Sequence, residues 1–373
     1  MSKRIAIFRS DSSAIDINFY NSQEIGLAKA LTSQGVNVDI YMASSDGKFS
    51  SNIVHEFSGC NVVVNKLPFY RLPLIGQAIY PSLSRLMSSS DYDLLHVNEY
   101  NEVSSYLASR LAKKMDIPCL IYQGMYKVVP GRIRSFFQFF YDLVFRPFLL
   151  KNVTYPVAKT TRAKDFLYKK GFQHPIVLPV GLDLSPFSQD TTCDFNSINN
   201  ITSGKKVISY IGKLEKRRNI NFLIDLAHSL EFHNYVLLLV GEGELSNQVA
   251  ERIKADNISN VFSIGKVEQK CLPEIYNLSN AFLLASDYEI YGMVVLEALS
   301  FGCPVFSTNT AGPEDMILNG FNGYLFSELD VNKWKSVILK TVPNYDRDKI
   351  QSDFLHRLTW DAVAKDYVNK FLS

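Results

Sequence analysis

Paired cysteines, excess charge and long apolar runs are all missing from this chain of 373 residues, and each absence removes a class of protein. The five cysteines, Cys60, Cys119, Cys193, Cys271 and Cys303, are scattered without a CxxC pair. That spacing fits neither a zinc site nor a disulfide framework, so reduced, mostly buried thiols of a cytoplasmic protein are expected. The 39 basic and 37 acidic side chains leave a net charge of +2. Such a balance lacks the global field of a nucleic-acid binder, so any anion site must be local and no nucleic-acid partner is expected. After Lys3-Arg4 only residues 5–8 form a continuous apolar run. Neither a signal peptide nor a transmembrane span is expected there, and no later stretch is long and apolar enough to span.

What is present is a rhythm. Hydrophobic residues make up 47% of the chain, enough to bury a sizeable core, and the length points to two domains. Short apolar or β-branched runs at residues 4–8, 36–41, 62–64, 94–97 and 119–122 alternate with helical patterns at 23–34 and on to 114. This is the βαβ alternation of a parallel sheet. Between residues 181 and 206 polar residues displace apolar periodicity, as in an interdomain connection, which sets a boundary near residue 182. The rhythm restarts with strands at 207–211, 235–240, 261–263, 281–284 and 304–307 and helices at 220–230, 245–256 and 292–301. The expected domains are 1–182, 183–355 and a terminal segment 356–373. Open parallel sheets bind ligands beyond the carboxyl ends of their strands, so the site is sought in the loops that follow strands.

One such loop is Ser286-Asp287-Tyr288-Glu289-Ile290-Tyr291-Gly292-Met293, which follows an apolar strand and opens a helix continuing through Glu297. Unpaired backbone N–H groups and the positive end of the helix dipole suit a diphosphate. Glu289 lies before the helix and Glu297 within it, separated by roughly 12 Å at a helical rise of about 1.5 Å per residue. Carboxylates at that span accept charge-assisted hydrogen bonds from vicinal hydroxyls. The plainer reading is a helix-start acid and a solvated glutamate. A second loop, Tyr210-Ile211-Gly212-Lys213-Leu214-Glu215-Lys216-Arg217-Arg218-Asn219, ends a strand in glycine and places cations before a helix. Glycine permits close approach and the cations can neutralise a leaving diphosphate.

The 286–299 segment resembles the E-x7-E signature of the large family 4 of retaining glycosyltransferases, which have the GT-B fold. Leu272-Pro273-Glu274-Ile275-Tyr276, Gly302-Cys303-Pro304-Val305 and Gly320-Phe321-Asn322-Gly323-Tyr324-Leu325 follow the family's order, and Gly241-Glu242-Gly243 is similar to its VGxG turn. The resemblance implies that Glu289 holds hydroxyls of the transferred sugar and Glu297 the ribose, with the backbone of Tyr291, Gly292 and Met293 at the sugar or diphosphate. It also implies that Lys213 and Arg218 stabilise the departing diphosphate beside Gly212. The family has arginine directly after this glycine and lysine near the loop's end, so here the two cations are exchanged. Arg217 is the substitute for Arg218. Lys266 and Val267, after Gly265, resemble the loop around the nucleobase, where backbone contacts specify little.

The first domain carries weaker signals. Its loop 10–20 has no glycine where relatives have a glycine-rich turn, which puts close diphosphate contact there in doubt. Gln123-Gly124 falls where many relatives have an active-site histidine. Gln123 can donate a hydrogen bond to a sugar hydroxyl or phosphate but cannot act as a base near neutral pH. His96, in His96-Val97-Asn98-Glu99, reads as a satisfied core histidine. Asp91-Tyr92-Asp93 mimics a D-x-D metal motif but precedes a strand, so it reads as a turn, and no metal or other cofactor is expected. In residues 126–151 Lys127, Arg132, Arg134, Arg146 and Lys151 flank seven aromatics from Phe136 to Phe148. This reads equally as a helix for an anionic membrane surface and as core aromatics with snorkelling cations. Thr359-Trp360-Asp361 resembles the start of the family's closing helix, which crosses back to the first domain.

Together these imply a GT-B protein of two facing Rossmann-like domains with a cleft between them. The implied activity is retaining transfer of a sugar from a nucleotide diphosphate, UDP favoured over GDP, to a glycan or lipid-linked acceptor in cell-surface polysaccharide synthesis. A front-face mechanism needs no protein base. The expected location is cytoplasmic, peripheral at the inner plasma membrane if 126–151 binds lipid. The rivals are a nucleotide-sugar epimerase or sugar phosphorylase on the same fold, and a non-catalytic subunit that binds nucleotide sugar or membrane.

Overall fold

A computed structural model describes residues 2–12, 22–73, 76–127, 132–187, 193 and 195–373, without the side chains of 132–134. Most of the glycine-free loop, 13–20, and residues 128–131 of the aromatic segment lie outside the described residues. The chain forms two compact units, Met1–Gly181 with Leu358–Ser373, and Leu182–Arg357.

The first unit holds β1 (Lys3–Arg9), α1 (Gln23–Ser33), β2 (Val36–Ala43), β3 (Ser50–Phe57), β4 (Cys60–Leu67), β5 (Tyr70–Arg71), β6 (Ala78–Ile79), α2 (Leu83–Met87), β7 (Leu94–Asn98) and α3 (Val103–Lys114). It continues with β8 (Cys119–Gln123), α4 (Arg132–Val144), α5 (Arg146–Asn152), β9 (Tyr155–Ala158), α6 (Thr161–Lys169) and β10 (Ile176–Val177). Eight strands order as β10-β9-β8-β7-β1-β2-β4-β3, while β5 and β6 pair separately. Ile5, Ala6, Ile7 and Phe8 are fully buried, as in a strand covered on both faces. The strand order turns back between β1 and β7, which pair in parallel, so their carboxyl ends form a switch point. β3 escapes a search for apolar runs because it is an edge strand, antiparallel to β4, with mostly exposed residues. Asp93 sits at a strand start, where its backbone N–H donates to Arg4 O at 2.8 Å and its carboxylate accepts from Arg4 N at 2.7 Å.

The second unit holds α7 (Asn196–Thr202), β11 (Lys206–Ile211), α8 (Ile220–Ser229), β12 (Tyr235–Val240), α9 (Ser246–Ala255), β13 (Val261–Gly265), α10 (Leu272–Leu278) and β14 (Ala281–Leu284). It ends with α11 (Met293–Ser300), β15 (Val305–Thr308), α12 (Ala311–Met316), β16 (Gly323–Phe326), α13 (Val331–Thr341) and α14 (Arg347–Arg357). Its six strands order as β13-β12-β11-β14-β15-β16 and pair in parallel, with the switch point between β11 and β14.

Two expectations are corrected here. The stretch expected as irregular connection contains α7, because Ile198 and Thr202, four residues apart, share a buried helix face. The expectation of five reduced thiols also fails: Cys193 and Cys271 form a disulfide, while Cys60, Cys119 and Cys303 are free and buried. The paired cysteines are 78 residues apart, so only the folding of the 193 segment onto the turn that opens α10 reveals the bond.

The terminal helix α15 (Trp360–Phe371) belongs to the first unit and is capped by Thr359, whose hydroxyl accepts from Ala362 N at 3.3 Å. It packs on α1 where that helix has Gly26. A β-carbon there would lie 2.1 Å from Trp360 Nε1, so glycine is required by close approach. Farther along, Tyr367 is fully buried and stacks on His96 with ring centroids 5.8 Å apart.

Candidate functional site

The loops after β11 and β14, at the switch point of the second unit, are bonded into one surface. Asn219, in the left-handed region at φ 51°, donates through Nδ2 to Ala285 O at 2.8 Å and Asp287 Oδ1 at 2.6 Å. Asp287 N donates to Arg217 O at 2.9 Å. These bonds place the short 3-10 turn Lys216–Arg218 directly against the segment that carries Glu289.

Glu289 is buried, and two arginines converge on it. Arg218 forms an ion pair with its Oε1, and the same Nη1 donates to Ser286 Oγ at 2.9 Å. Arg217 Nη1 lies 3.6 Å from the same oxygen, donates to Tyr288 O at 2.8 Å, and its Nη2 meets Glu215 at 2.7 Å. Burial and the neighbouring Arg217 charge lower the Arg218 pKa, against the raising influence of Tyr210 and Glu215. Arginine stays protonated all the same, so this is a charged pair held mostly out of water. Lys213 differs. Its side chain is exposed, and it has no acidic partner among the described residues, while its carbonyl accepts from Tyr210 Oη at 2.7 Å. Of the two cations assigned to the diphosphate, Lys213 thus faces solvent and Arg218 is mostly buried.

Backbone approach is set by glycines. Gly241 has φ 132°, and a β-carbon there would lie 2.0 Å from Gly212 O, so the ends of β11 and β12 close together only without side chains. Gly212 N donates to Val240 O at 2.9 Å. Gly292 occupies the left-handed region at φ 80° and precedes α11, whose first N–H groups have no partner within the helix. Tyr291 is buried, and its carbonyl lies where a side chain on Gly312 would project, which packs α12 against this turn. Met293 is half-buried at the first position of α11.

Glu297 lies within α11, 1% exposed, and accepts from Tyr276 Oη at 2.9 Å. Far from a solvated helix residue, it is anchored to α10 in the interior. After β13, Lys266 is exposed and Val267 half-buried, both beyond the left-handed Gly265. The second unit thus brings together Gly212, Arg218, Glu289 and Gly292, with Lys213 on the same loop.

Gln123 lies in the first unit, fully buried at the end of β8. Its Oε1 accepts from Tyr100 N at 3.0 Å and its Nε2 donates to Met125 O at 3.0 Å, so both ends of the amide hold backbone. His96 is a core histidine: Nδ1 meets Tyr367 Oη and Nε2 meets Asn98 Oδ1, each at 3.2 Å. Burial lowers its pKa to about 3. Nearby carboxylates shift the other way. Glu102 is raised to about 7 by burial, Asp11 and Glu99, and Glu99 is raised by burial while accepting from Gly124 N at 2.9 Å.

Motif spacing missed Ser286, Asn219 and Tyr276 as partners. Asn before a helix was the available signal for Asn219. The bonds of Ser286 and Tyr276 join positions 68 and 21 residues apart and leave no local trace.

Residues 25–185 match the family profile described as Glycosyltransferase Family 4, and residues 194–352 match that of Glycosyl transferases group 1. Among curated relatives, a probable sucrose-phosphate synthase of Thermosipho melanesiensis is 27% identical over 52% of this chain and 46% of its own length. An Escherichia coli UDP-Gal:alpha-D-GlcNAc-diphosphoundecaprenol alpha-1,3-galactosyltransferase is 23% identical over 69% of this chain and 68% of its own. The chain matches about half the length, or less, of the first four curated relatives. Solved structures agree in fold. A glycosyltransferase from Rickettsia africae superposes with a TM-score of 0.72 at 14% identity, covering 100% of this chain and 98% of that one. Anabaena HepE in complex with UDP gives 0.68 at 14% identity, with 98% of each chain covered. Two doubly wound units, each matched by its own profile and together superposing on these structures, place the chain in family 4 of the glycosyltransferases, with the GT-B fold.

Proposed function

We propose that the chain is a retaining glycosyltransferase that moves a sugar from a UDP-sugar to a glycan or lipid-linked acceptor in cell-surface polysaccharide synthesis. The observation that carries this reading is the buried Glu289 carboxylate, gripped by Arg218 beside Gly212 and Lys213 at the switch point of a parallel sheet.

Each group has a task suited to its chemistry. The turn Tyr291-Gly292-Met293 brings backbone N–H groups to the diphosphate, as helix starts do, and Gly212, whose own N–H is held by Val240 O, leaves room for its close approach. Lys213 and Arg218 neutralise the charge that grows on the diphosphate as the glycosidic bond breaks. Glu289 accepts from hydroxyls of the transferred sugar and holds its anomeric carbon toward the acceptor. The leaving phosphate takes the acceptor's proton on the same face, so configuration is retained without a protein base. Glu297, held by Tyr276, takes the ribose, and the backbone at Lys266 and Val267 borders the base. No metal ion has a task in this scheme. Gln123 is left to its structural bonds.

Support for UDP comes from similar proteins: Anabaena HepE has been solved in complex with UDP and with UDP-glucose, and the E. coli relative is named for a UDP-Gal donor. Support for a cell-surface glycan comes from a Staphylococcus aureus capsular polysaccharide glycosyltransferase, 25% identical over 52% of this chain.

Calorimetric titration of UDP-, GDP- and ADP-sugars into wild type and into Lys213→Ala/Arg218→Ala tests the reading. Selective UDP-sugar binding that the double variant loses is expected. Absence of nucleotide binding, or equal binding by the variant, overturns it. Formation of an altered nucleotide sugar without acceptor would replace transfer by epimerisation.

A further inference from the structure

Helix α4 is amphipathic in the inverse sense. Its polar residues Gln138 and Asp142 face the protein: Tyr100 Oη donates to Asp142 Oδ1 at 3.0 Å, Gln138 Nε2 donates to the same oxygen at 2.9 Å, and Lys170 forms an ion pair with Asp142. Tyr141 is buried on that side and donates to Glu102 O at 3.0 Å. The face turned to water carries Phe136, Phe139, Phe140 and Leu143, which are 61%, 65%, 53% and 61% exposed, and α5 extends it with Phe148 at 49%. A helix that only had to be soluble would carry these faces the other way round. A groove of about 480 Å³ beside the end of α5 is lined by Leu150, Val153, Tyr155, Pro156, Phe172 and Ile176 together with the polar Thr154, Gln173 and His174. The two sequence readings of 126–151 thus divide between faces. Tyr126, Tyr141 and Phe145 pack inward on the core cluster, while Phe136, Phe139, Phe140 and Phe148 are exposed.

We propose that this face of the first unit docks on the surface of an anionic lipid bilayer, with Phe136, Phe139, Phe140, Leu143 and Phe148 entering the headgroup–acyl boundary. The charge around it selects that occupant. Residues 126–151 contain five bases, Lys127, Arg132, Arg134, Arg146 and Lys151, and a single acid, Asp142, which is turned inward. Arg110 adds a cation, stacked over Tyr106, whose ring in turn contacts Phe148. A base-rich segment that carries an exposed aromatic stripe matches the interface of a bilayer with negative surface potential. A second copy of the chain would set two such base-rich segments against each other, with like charges opposed.

The inference concerns docking and stands apart from the transfer chemistry, because it is read without donor or acceptor. Flotation with vesicles of phosphatidylcholine, alone or mixed with phosphatidylglycerol, tests it. Wild type should float with the mixed vesicles and at least tenfold less with the neutral ones. Phe139→Ser/Phe140→Ser should lose flotation at least tenfold while keeping wild-type circular dichroism and UDP-sugar affinity. Should that variant fold poorly, Arg146→Glu/Lys151→Glu, read in the same assay, must also lose flotation. The proposal is overturned if wild type stays with the soluble fraction in both vesicle types, or if variants that retain the fold float as wild type. It is also overturned if light scattering shows a wild-type dimer that the serine variant converts to monomer, since the face would then join two copies.

Discussion

The guanidinium of Arg218 bridges Ser286 Oγ and the Glu289 carboxylate through a single nitrogen. The residue assigned to the diphosphate and the one assigned to the sugar are therefore neighbours, and perturbing either is felt by both.

Glu289→Gln keeps the shape of the side chain and removes its charge. Transfer should fall by about 10² to 10³ in kcat, the loss typical of one positioned electrostatic contact. Affinity for UDP alone should hold or rise, since Arg218 then has one competitor fewer. Steady-state kinetics beside UDP calorimetry separates the two effects. An equal loss in both would mean that Glu289 only supports the loop.

Arg218→Lys should not rescue Arg218→Ala. The planar, forked guanidinium reaches Ser286, Glu215 and Glu289 at once, whereas the single ammonium nitrogen of lysine cannot. At least a tenfold weaker UDP affinity is expected for both substitutions. Lys213→Arg, at an exposed position, should cost less than threefold, a difference that calorimetry resolves.

Reduction of the Cys193–Cys271 bond releases a segment of 78 residues in the unfolded chain. The second unit should lose about 2–4 kcal/mol of stability. Denaturant titration with and without a thiol reductant should shift the midpoint of wild type and leave Cys193→Ser/Cys271→Ser unmoved.

His96 and Glu102 give the first unit opposing pH dependences. His96 has a folded pKa of about 3 against an ordinary 6.5, so the unfolded chain binds its proton first as pH falls. Its contribution to stability is complete above about 6.5 and erodes toward 3, by at most about 1.4 kcal/mol per pH unit. Glu102 has a folded pKa of about 7 against 4.5, so its contribution is complete below about 4.5 and erodes as pH rises through 7. Melting temperatures from pH 4 to 8 should show a flattened acid limb in His96→Gln and a flattened neutral limb in Glu102→Gln.

Strands buried on both faces, such as 5–8 and 235–240, are visible as apolar runs because burial on both sides demands them. β3 is not, since an edge strand needs only one packed side. In the site, the spacing of Glu289 and Glu297 and the cations of the 212–219 loop are local and readable. The contacts that orient them are not: Asn219 to Ala285 and Arg218 to Ser286 exist only once β11 and β14 pair. The aromatic wealth of α4 is equally visible, but its rotation is set by Asp142 meeting Tyr100 and Lys170, far away in the chain.

Because Trp360 fills the space that Gly26 leaves open and Tyr367 stacks on His96, the first unit is finished by residues made only after the whole of the second unit. During synthesis, the apolar side of α1 must wait for α15 while roughly 190 residues follow Gly181, roughly 10 to 40 s at about 5–20 residues per second. The second unit, continuous from Leu182 to Arg357, has all its strands before then. On the ribosome, the amino-terminal half is thus the later one to mature, and for that interval it is the half in need of a chaperone.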